Sequence, residues 1–199
     1  MAEVIRVAHI LEATVGGTRR WMEEVIPRLD RTRVEPVCIF SAERDSGFRE
    51  VMERFRGMGI PVFETPMRRR IEPGHDARAL LGLIGILRRV RPAIVHVHSS
   101  KAGALGRLAS RLAGVPVVLY SPHAFAFWER GLWSRAFKTI EIALAPMTSG
   151  LIAVSKSEQE EAIGLGYSSV RTVLVPNAVS WPGETNAVQD GGVLSVGTV

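Results

Sequence analysis

Residues 93–120 read AIVHVHSSKAGALGRLASRLAGVPVVLY and contain a strand, a helix and a second strand in succession. The runs Ala93–His98 and Val115–Tyr120 are nearly continuous apolar sequence, which is typical of strands covered on both faces. Lys101–Ala113, between them, has the length of a helix. A unit of this kind predicts parallel strands joined by a crossover helix.

The same alternation extends over most of the chain. The other predicted strands are Ile5–Leu11, Val34–Phe40, Pro61–Glu64, Leu151–Val154 and Thr172–Val175. The other predicted helices are Gly17–Leu29, Gly47–Met58, Asp76–Val90, Leu132–Met147 and Lys156–Leu165. Strands that alternate with helices in this way predict an α/β fold, a Rossmann-like, doubly wound, mainly parallel sheet of about seven strands.

The pattern changes near the carboxyl end. Residues 180–192 are rich in glycine, proline and polar residues and read as a linker. Val193–Gly197 then begins what reads as a new strand. We therefore expect one domain over residues 1–179, a linker over 180–192, and the start of a second, truncated domain over 193–199.

Composition excludes several classes of protein. The 199 residues are 46% hydrophobic and 23% charged, which suits a globular core, and no apolar run approaches the roughly 20 residues of a membrane span. The single cysteine, Cys38, excludes an internal disulfide framework, and it lies in a predicted buried strand. The amino terminus lacks a signal pattern, so we expect a cytoplasmic protein.

The formal net charge of +5 favours anionic partners such as phosphorylated substrates or an anionic membrane surface. Nucleic acid is the least favoured partner, because aromatic residues make up only 7% of the chain and are not interleaved with the arginines.

Ligands of open parallel sheets bind beyond the carboxyl ends of the strands. Gly16-Gly17-Thr18 follows the first predicted strand there and leads into a helix. Paired glycines let the backbone approach a ligand, and a helix N-terminus offers N–H groups to a phosphate. The segment is neither a dinucleotide fingerprint nor a P-loop.

Histidines lie at the ends of the fourth and fifth predicted strands. His96 and His98 share one face of their strand, and His123 follows a Ser-Pro turn after the next strand. A metal site would need further ligands, such as His75 or His123, and no carboxylate follows at ligand spacing. We therefore expect no metal, and His96 and His98 hydrogen-bonded in the floor of a cleft.

Two later polar clusters have simple structural interpretations. Ser155 and Glu158 have the spacing of a helix capping box, and Asn177 after Pro176 suits a turn.

Together and in this order, the clusters resemble the N-terminal domain of a GT-B glycosyltransferase of the group 1 (family 4) type. The resemblance spans about Ile5 to Asn177 and depends on six pieces: Gly16-Gly17, His96-Val97-His98, Lys101-Ala102-Gly103 with Gly106, Ser121-Pro122-His123-Ala124-Phe125, Ala153-Val154-Ser155-Lys156-Ser157 and Val175-Pro176-Asn177-Ala178.

The resemblance implies transfer of a sugar, with retention, from a nucleotide-sugar to an acceptor hydroxyl, without a cofactor or metal. It assigns acceptor binding to this domain and nucleotide binding to a second one. The implied site residues are Gly16, Gly17 and Thr18 near the donor diphosphate, His123 as an orienting, non-covalent group beside the donor sugar, and His98, Ser99 and Lys101 on the acceptor side.

The chain departs from the family in two respects. Ala178 follows Asn177 where the family usually has glycine, and the family's paired glutamates belong to the second domain. We therefore expect residues 1–199 alone to fold but to show no transferase activity.

A basic segment, Arg68-Arg69-Arg70, precedes the third helix. Beside an acceptor site it would suit peripheral docking on the inner face of an anionic membrane, to reach a sugar or lipid-linked acceptor.

Two other functions stay open. A GT-B nucleotide-sugar 2-epimerase would need carboxylates in the cleft, and the strand ends offer Glu12 and Glu64. A non-catalytic module for phosphorylated ligands would bind them tightly without a partner domain.

Overall fold

A computed structural model describes residues 3–128 and 134–177, which form a seven-stranded sheet in which every neighbouring pair of strands is parallel. The strands are β1 (Ile5–Leu11), β2 (Val34–Phe40), β3 (Val62–Glu64), β4 (Ile94–His98), β5 (Val117–Ser121), β6 (Gly150–Ala153) and β7 (Thr172–Leu174). The α-helices are α1 (Gly16–Val25), α2 (Phe48–Gly57), α3 (Pro73–Val90), α4 (Ser100–Ala113), α5 (Ser134–Leu144) and α6 (Lys156–Gly164).

The sheet has the strand order β3-β2-β1-β4-β5-β6-β7, which confirms the predicted doubly wound α/β fold. The chain runs outward from β1 to β3, returns to β4 beside β1, and then runs outward to β7 on the other side. The order reverses between β1 and β4, and such a switch point is where open α/β sheets bind ligands. In register, His9 lies opposite His96, and Leu11 lies opposite His98.

The sheet is covered on both faces. Ile10 packs in a core cluster with Val97 and Tyr120, whereas its neighbour Leu11 packs in a second cluster with Phe40. Alternate residues of one strand point to opposite faces, so two cores on either side of β1 account for its unbroken apolar sequence.

Helix α4 lies unusually close to the sheet. A Cβ atom added at Gly103 would lie 2.6 Å from Cε2 of Tyr120, and one at Gly106 would lie 2.5 Å from Cγ1 of Val97. These glycines therefore have a packing role, because any side chain would force the helix away from β4 and β5.

The predicted elements are all present among the described residues, and their ends differ for local reasons. The first helix, predicted to reach Leu29, ends at Val25 and continues as a 3-10 turn over Ile26–Arg28, because Pro27 lacks the N–H that an α-helix needs. The third begins at Pro73 rather than Asp76, since proline is well tolerated in a first turn.

The predicted linker and the strand Val193–Gly197 lie outside the described residues. Within those residues, none of the helices combines the length and the apolar character needed to cross a bilayer.

Candidate functional site

A cavity of about 1260 Å³ opens at the carboxyl ends of the strands, beside the switch point between β1 and β4. The loops after several different strands line it. Among the lining residues are Glu12, Gly17, Thr18, Arg44, Arg69, Arg70, Glu72, Ser99, Ser100, Lys101, His123, Ala124, Val154, Ser155, Glu158 and Asn177. The cavity thus unites most of the site residues predicted from segments far apart in the sequence.

The glycine turn after β1 contributes open backbone to this cavity. Gly16 has a φ of +64°, in the left-handed region that favours glycine. A Cβ atom at Gly17 would have no other heavy atom within 4 Å. Close packing therefore does not require glycine here, and the lack of a side chain leaves open space at the cavity. No side chain caps α1, and its first turn contains no acidic residue. The first N–H groups of α1 are therefore suited to an anion.

Thr18 lines the cavity, and its hydroxyl is used within the turn. It donates to the carbonyl oxygens of Ala13 and Val15, at 2.5 Å and 3.1 Å. A hydroxyl has one proton to donate, so this proton braces the turn rather than facing a ligand.

On the other side of the cavity, Lys101 is held by two acceptors. Its ammonium donates to Oδ2 of Asp76 at 2.6 Å and to the carbonyl oxygen of Arg70 at 2.8 Å. Ser99 lies at the start of the same helix, and its buried Oγ has no hydrogen-bond partner in the described structure. Lys101 thus links α3 and α4, while Ser99 retains an unused hydroxyl.

Three non-glycine residues at the cavity have positive φ angles: 70° at Ser99, 51° at His123 and 78° at Ala124. Such conformations cost roughly 1–3 kcal/mol each and persist only where surrounding contacts enforce them. Their clustering at one edge of the sheet is typical of a binding site.

Glu158 enforces the conformation at Ala124. One carboxylate oxygen accepts the N–H of Ala124 and the other accepts the N–H of Val154, both at 2.7 Å. Burial raises the pKa of Glu158, and these two hydrogen bonds oppose the shift. Of the predicted capping box, the Ser155 half is present, since Ser155 Oγ accepts the N–H of Glu158 at 3.2 Å. The carboxylate does not accept the N–H of Ser155, as a complete capping box would require. It connects the loop after β5 with the residue that follows β6.

His98 is fully buried and does not line the cavity, so a direct contact between His98 and an acceptor is not supported. It lies behind His123, whose Nε2 is 3.2 Å from its Nδ1. On its other side, Nε2 of His98 lies 3.3 Å from Nδ1 of His9, and the indole of Trp21 packs over it with ring centroids 4.6 Å apart. His96 is bonded separately to the hydroxyl of Ser121, at 2.8 Å.

Burial lowers the pKa of all four imidazoles. The pKa values of His9 and His123 fall to about 4, and those of His96 and His98 fall well below the usual range. All four rings are therefore neutral near pH 7.

Among the described residues, three of these histidines form a group that could hold a metal ion. One nitrogen from each of His9, His96 and His98 lies within 4.8 Å of the others, and neutral imidazoles are common metal ligands. However, both nitrogens of His98 already face another imidazole, and Nε2 of His96 faces Ser121. No carboxylate joins the group among the described residues. The contacts therefore favour a hydrogen-bonded cluster.

Of the two glutamates predicted at strand ends, Glu12 lines the cavity and Glu64 does not. Glu12 is only 2% exposed, and its Oε1 lies 3.7 Å from the guanidinium of Arg44. Burial raises its pKa, which the nearby cationic side chains partly oppose. Glu64 is instead paired with Arg49 at 2.6 Å.

The three arginines are divided in their contacts. Arg68 forms ion pairs with Glu43 at 3.1 Å and Glu72 at 3.0 Å, whereas Arg69 and Arg70 line the cavity. The basic segment is thus part of the rim of the site.

No pattern in the sequence marks His9, Trp21 or Arg44, because each reaches the site only through tertiary packing. The spacing of Glu158 from Ser155 predicts a helix cap and no contact with the loop after β5.

Comparison with known proteins connects this site to a family. The model of the glycosyl transferase 4-like domain matches residues 16–178. Over 132 residues the chain is 35% identical to the UDP-Gal:alpha-D-GlcNAc-diphosphoundecaprenol alpha-1,3-galactosyltransferase of Escherichia coli, a match that covers 65% of this chain and 34% of that enzyme.

Solved structures share the fold at low sequence identity. HepE from Anabaena, in complex with UDP and glucose, has a TM-score of 0.67 at 16% identity, covering 88% of this chain and 45% of that one. The UDP-GlcNAc 2-epimerase of Methanocaldococcus jannaschii has a TM-score of 0.64 at 14% identity, covering 87% and 46%. The chain thus spans about a third of the length of its curated relative and under half of these two structures.

Proposed function

Because the chain belongs to the glycosyl transferase 4-like domain family, we propose that it is the acceptor-binding part of a retaining glycosyltransferase. The reaction would move a sugar from a nucleotide-sugar to an acceptor hydroxyl. The observation that carries this proposal is that Gly17, Ser99, Lys101 and His123 line one cavity at the switch point of the sheet.

The donor is proposed to be a UDP-sugar, by analogy with the Escherichia coli relative. The uncapped start of α1 at Gly16 and Gly17 suits the donor diphosphate, because its N–H groups and dipole stabilise negative charge as the leaving group departs. The nucleotide would be held mainly by a second domain facing this cavity.

His123 is proposed to orient the donor sugar by a hydrogen bond to one of its oxygens. As a neutral ring it is suited to hydrogen bonding without contributing charge. No nucleophilic side chain is assigned, and Cys38 is excluded from that role because it is buried in the core, where burial raises its thiol pKa.

The acceptor is proposed to be a sugar carried on a lipid diphosphate, the class named for the Escherichia coli relative. Lys101, Arg69 and Arg70 at the cavity are chemically suited to an anionic linkage. In this proposal the protein works at the inner face of a membrane, with the rim segment Arg68–Arg70 toward the lipid.

A 2-epimerase is the competing function, supported by the shared fold. Transferase is favoured because the relative at 35% identity is a transferase, whereas the epimerase is 14% identical. Of the cavity carboxylates, Glu158 accepts two backbone N–H groups and Glu72 pairs with Arg68, which leaves Glu12 as the main candidate for proton transfer.

The test is to express the reading frame through its natural stop codon and assay UDP-sugars with a lipid-diphosphate-linked sugar as acceptor. We expect transfer from one donor, a loss of about 100-fold or more in Gly17→Val, where the new side chain fills the diphosphate position, and a smaller loss in His123→Ala. Gly85→Val is the matched control, since Gly85 lies on an exposed face of α3 with nothing within 4 Å of its Cβ position.

Interconversion of UDP-GlcNAc and its 2-epimer, without transfer to the acceptor, would replace the transferase proposal with the epimerase. Tight binding of a phosphorylated ligand by residues 1–199 alone, with no turnover in the longer protein, would establish the binding module instead.

A further inference from the structure

Three imidazoles are joined end to end behind the cavity. Nε2 of His123 faces Nδ1 of His98 at 3.2 Å, and Nε2 of His98 faces Nδ1 of His9 at 3.3 Å. Each gap has the length of one N–H···N hydrogen bond. We refer to His9, His98 and His123 as the histidine chain.

The number of protons restricts how this chain is arranged. A neutral imidazole has one N–H donor and one acceptor nitrogen. Three neutral rings satisfy both contacts only if all carry the proton on the same nitrogen, either all on Nδ1 or all on Nε2. In the first arrangement the hydrogen bonds run from His9 towards His123, and in the second they run in reverse.

The two ends of the chain differ in their surroundings. Nε2 of His9 is buried and has no partner among the described residues, and His9 is not part of the cavity lining. Nδ1 of His123 is likewise buried and without a partner among the described residues, but His123 lines the cavity, and a ligand bound there is the acceptor that this proposal requires. Because a buried N–H without an acceptor is costly, the favoured arrangement places the terminal N–H at His123.

We propose that His9 and His98 are positioning residues that fix His123 as its Nδ1–H tautomer, so that His123 donates a hydrogen bond to an oxygen atom of the bound ligand. His98 transmits the direction of the chain, and His9 supplies its first donor. The identity of the ligand rests on the proposed function, whereas the tautomer does not.

Packing supports a fixed chain. The indole of Trp21, from α1, lies against His98 with ring centroids 4.6 Å apart, and it lies 6.0 Å from the ring of His123. Glu158 holds the N–H of Ala124, next to His123. The rings are thereby confined from the side of α1 and from the side of α6.

The proposal is tested by long-range ¹H–¹⁵N spectroscopy of the imidazoles in the ¹⁵N-labelled chain of residues 1–199 at pH 7. We expect single-tautomer Nδ1–H patterns for His9, His98 and His123. An Nε2–H pattern or an imidazolium at any of these three would overturn the proposal, and this measurement needs no variant.

Variants of His98 test the coupling. His98→Leu removes the donor to His123, and we expect the two ¹⁵N shifts of His123 to move to averaged, two-tautomer values. His98→Gln supplies one amide donor and one carbonyl acceptor, and should restore the Nδ1–H pattern. His96→Gln is the control, because His96 is buried on the same strand but is bonded to Ser121. If the two ¹⁵N shifts of His123 were unchanged in a folded His98→Leu protein, the coupling would be contradicted.

A metal site at His9, His96 and His98 is the alternative outcome. One equivalent of Zn²⁺ should leave the spectrum unchanged, and displacement of the Nδ1 proton of His9 would replace the chain with a metal site. None of these spectroscopic measurements requires enzymatic turnover. A longer protein without transferase activity would therefore refute the proposed function and leave the histidine chain standing.

Discussion

At the scale of single residues, burial rather than charge pairing determines the protonation state of the histidines at the site. His9 is 5% exposed and His98 is fully buried, and desolvation is the largest cause of the lowered pKa of each ring. For His98, the neighbouring histidines lower the pKa further. A neutral imidazole donates from one nitrogen and accepts at the other, so hydrogen bonds between neutral rings run in one direction. An imidazolium donates from both nitrogens and accepts at neither.

This burial predicts how stability depends on pH. The folded-state pKa values of His9 and His123 lie at about 4, below the ordinary value of 6.5, so the unfolded chain takes up protons first as the pH falls. The free energy of unfolding should therefore decrease between pH 6.5 and 4, with a slope of up to about 1.4 kcal/mol per pH unit for each histidine.

Urea unfolding at pH 7.5, 6.0 and 5.5 measures this slope. The raised pKa values of Glu12 and Glu158 act in the opposite sense, because the folded state binds those protons more tightly than the unfolded chain does. His9→Gln should have a shallower slope than the wild type. Equal unfolding free energies at pH 7.5 and 5.5 in the wild type would contradict the interpretation.

At the scale of elements, the close approach of α4 to the sheet positions the side of the site formed by Ser99 and Lys101. Ser99 and Lys101 lie at its first turn, and the helix is brought near β4 by Gly103 and Gly106. Helix α5 is anchored to α4 differently: its buried residue among those described is Glu141, whose carboxylate is bonded to Arg107 at 2.7 Å and to Tyr120 at 2.8 Å.

Gly106→Ala tests this packing. Its Cβ would overlap Cγ1 of Val97, a stiff β-branched side chain, so we expect a loss of roughly 1–3 kcal/mol in the free energy of unfolding. Gly85→Ala, in the open part of α3, should instead gain up to about 1 kcal/mol from helix propensity. Chemical denaturation of both variants gives the comparison, and a Gly106→Ala protein as stable as Gly85→Ala would show that α4 has room to move.

At the scale of the whole molecule, two groups of three arginines lie at opposite ends of α3. Arg68–Arg70 are at the cavity rim, whereas Arg88, Arg89 and Arg91 lie at the far end of α3, roughly 27 Å away for 18 helical residues. A membrane-facing rim would involve only the first group.

Binding to anionic phospholipid vesicles distinguishes the two groups. Changing Arg68, Arg69 and Arg70 to Glu should weaken binding about 100-fold or more, since each of the three basic residues near an anionic surface contributes about 1 kcal/mol. The same change at Arg88, Arg89 and Arg91 alters the net charge equally and should have a much smaller effect, because the attraction fades within a Debye length of about 10 Å. Equal losses in the two triple variants would show that net charge alone accounts for binding.

The fold class, the strands and the edge of the sheet at which the cavity opens could be predicted from the sequence. These follow from local apolar runs and from the rule that parallel strands end at one edge. Gly17, Ser99, Lys101 and His123 could be placed at that edge for this reason alone.

Which side chains contact one another at the site depends on the tertiary structure. His9 lies 89 positions before His98, and their contact depends on the pairing of β1 with β4, in which Leu11 lies opposite His98. In the folded protein His98 lies behind the cavity and not in its lining. The carboxylate of Glu158 accepts the N–H of Ala124, in the loop after β5, and does not cap its own helix. Periodicity reports which face of an element is buried, whereas non-local register and packing decide what that face touches.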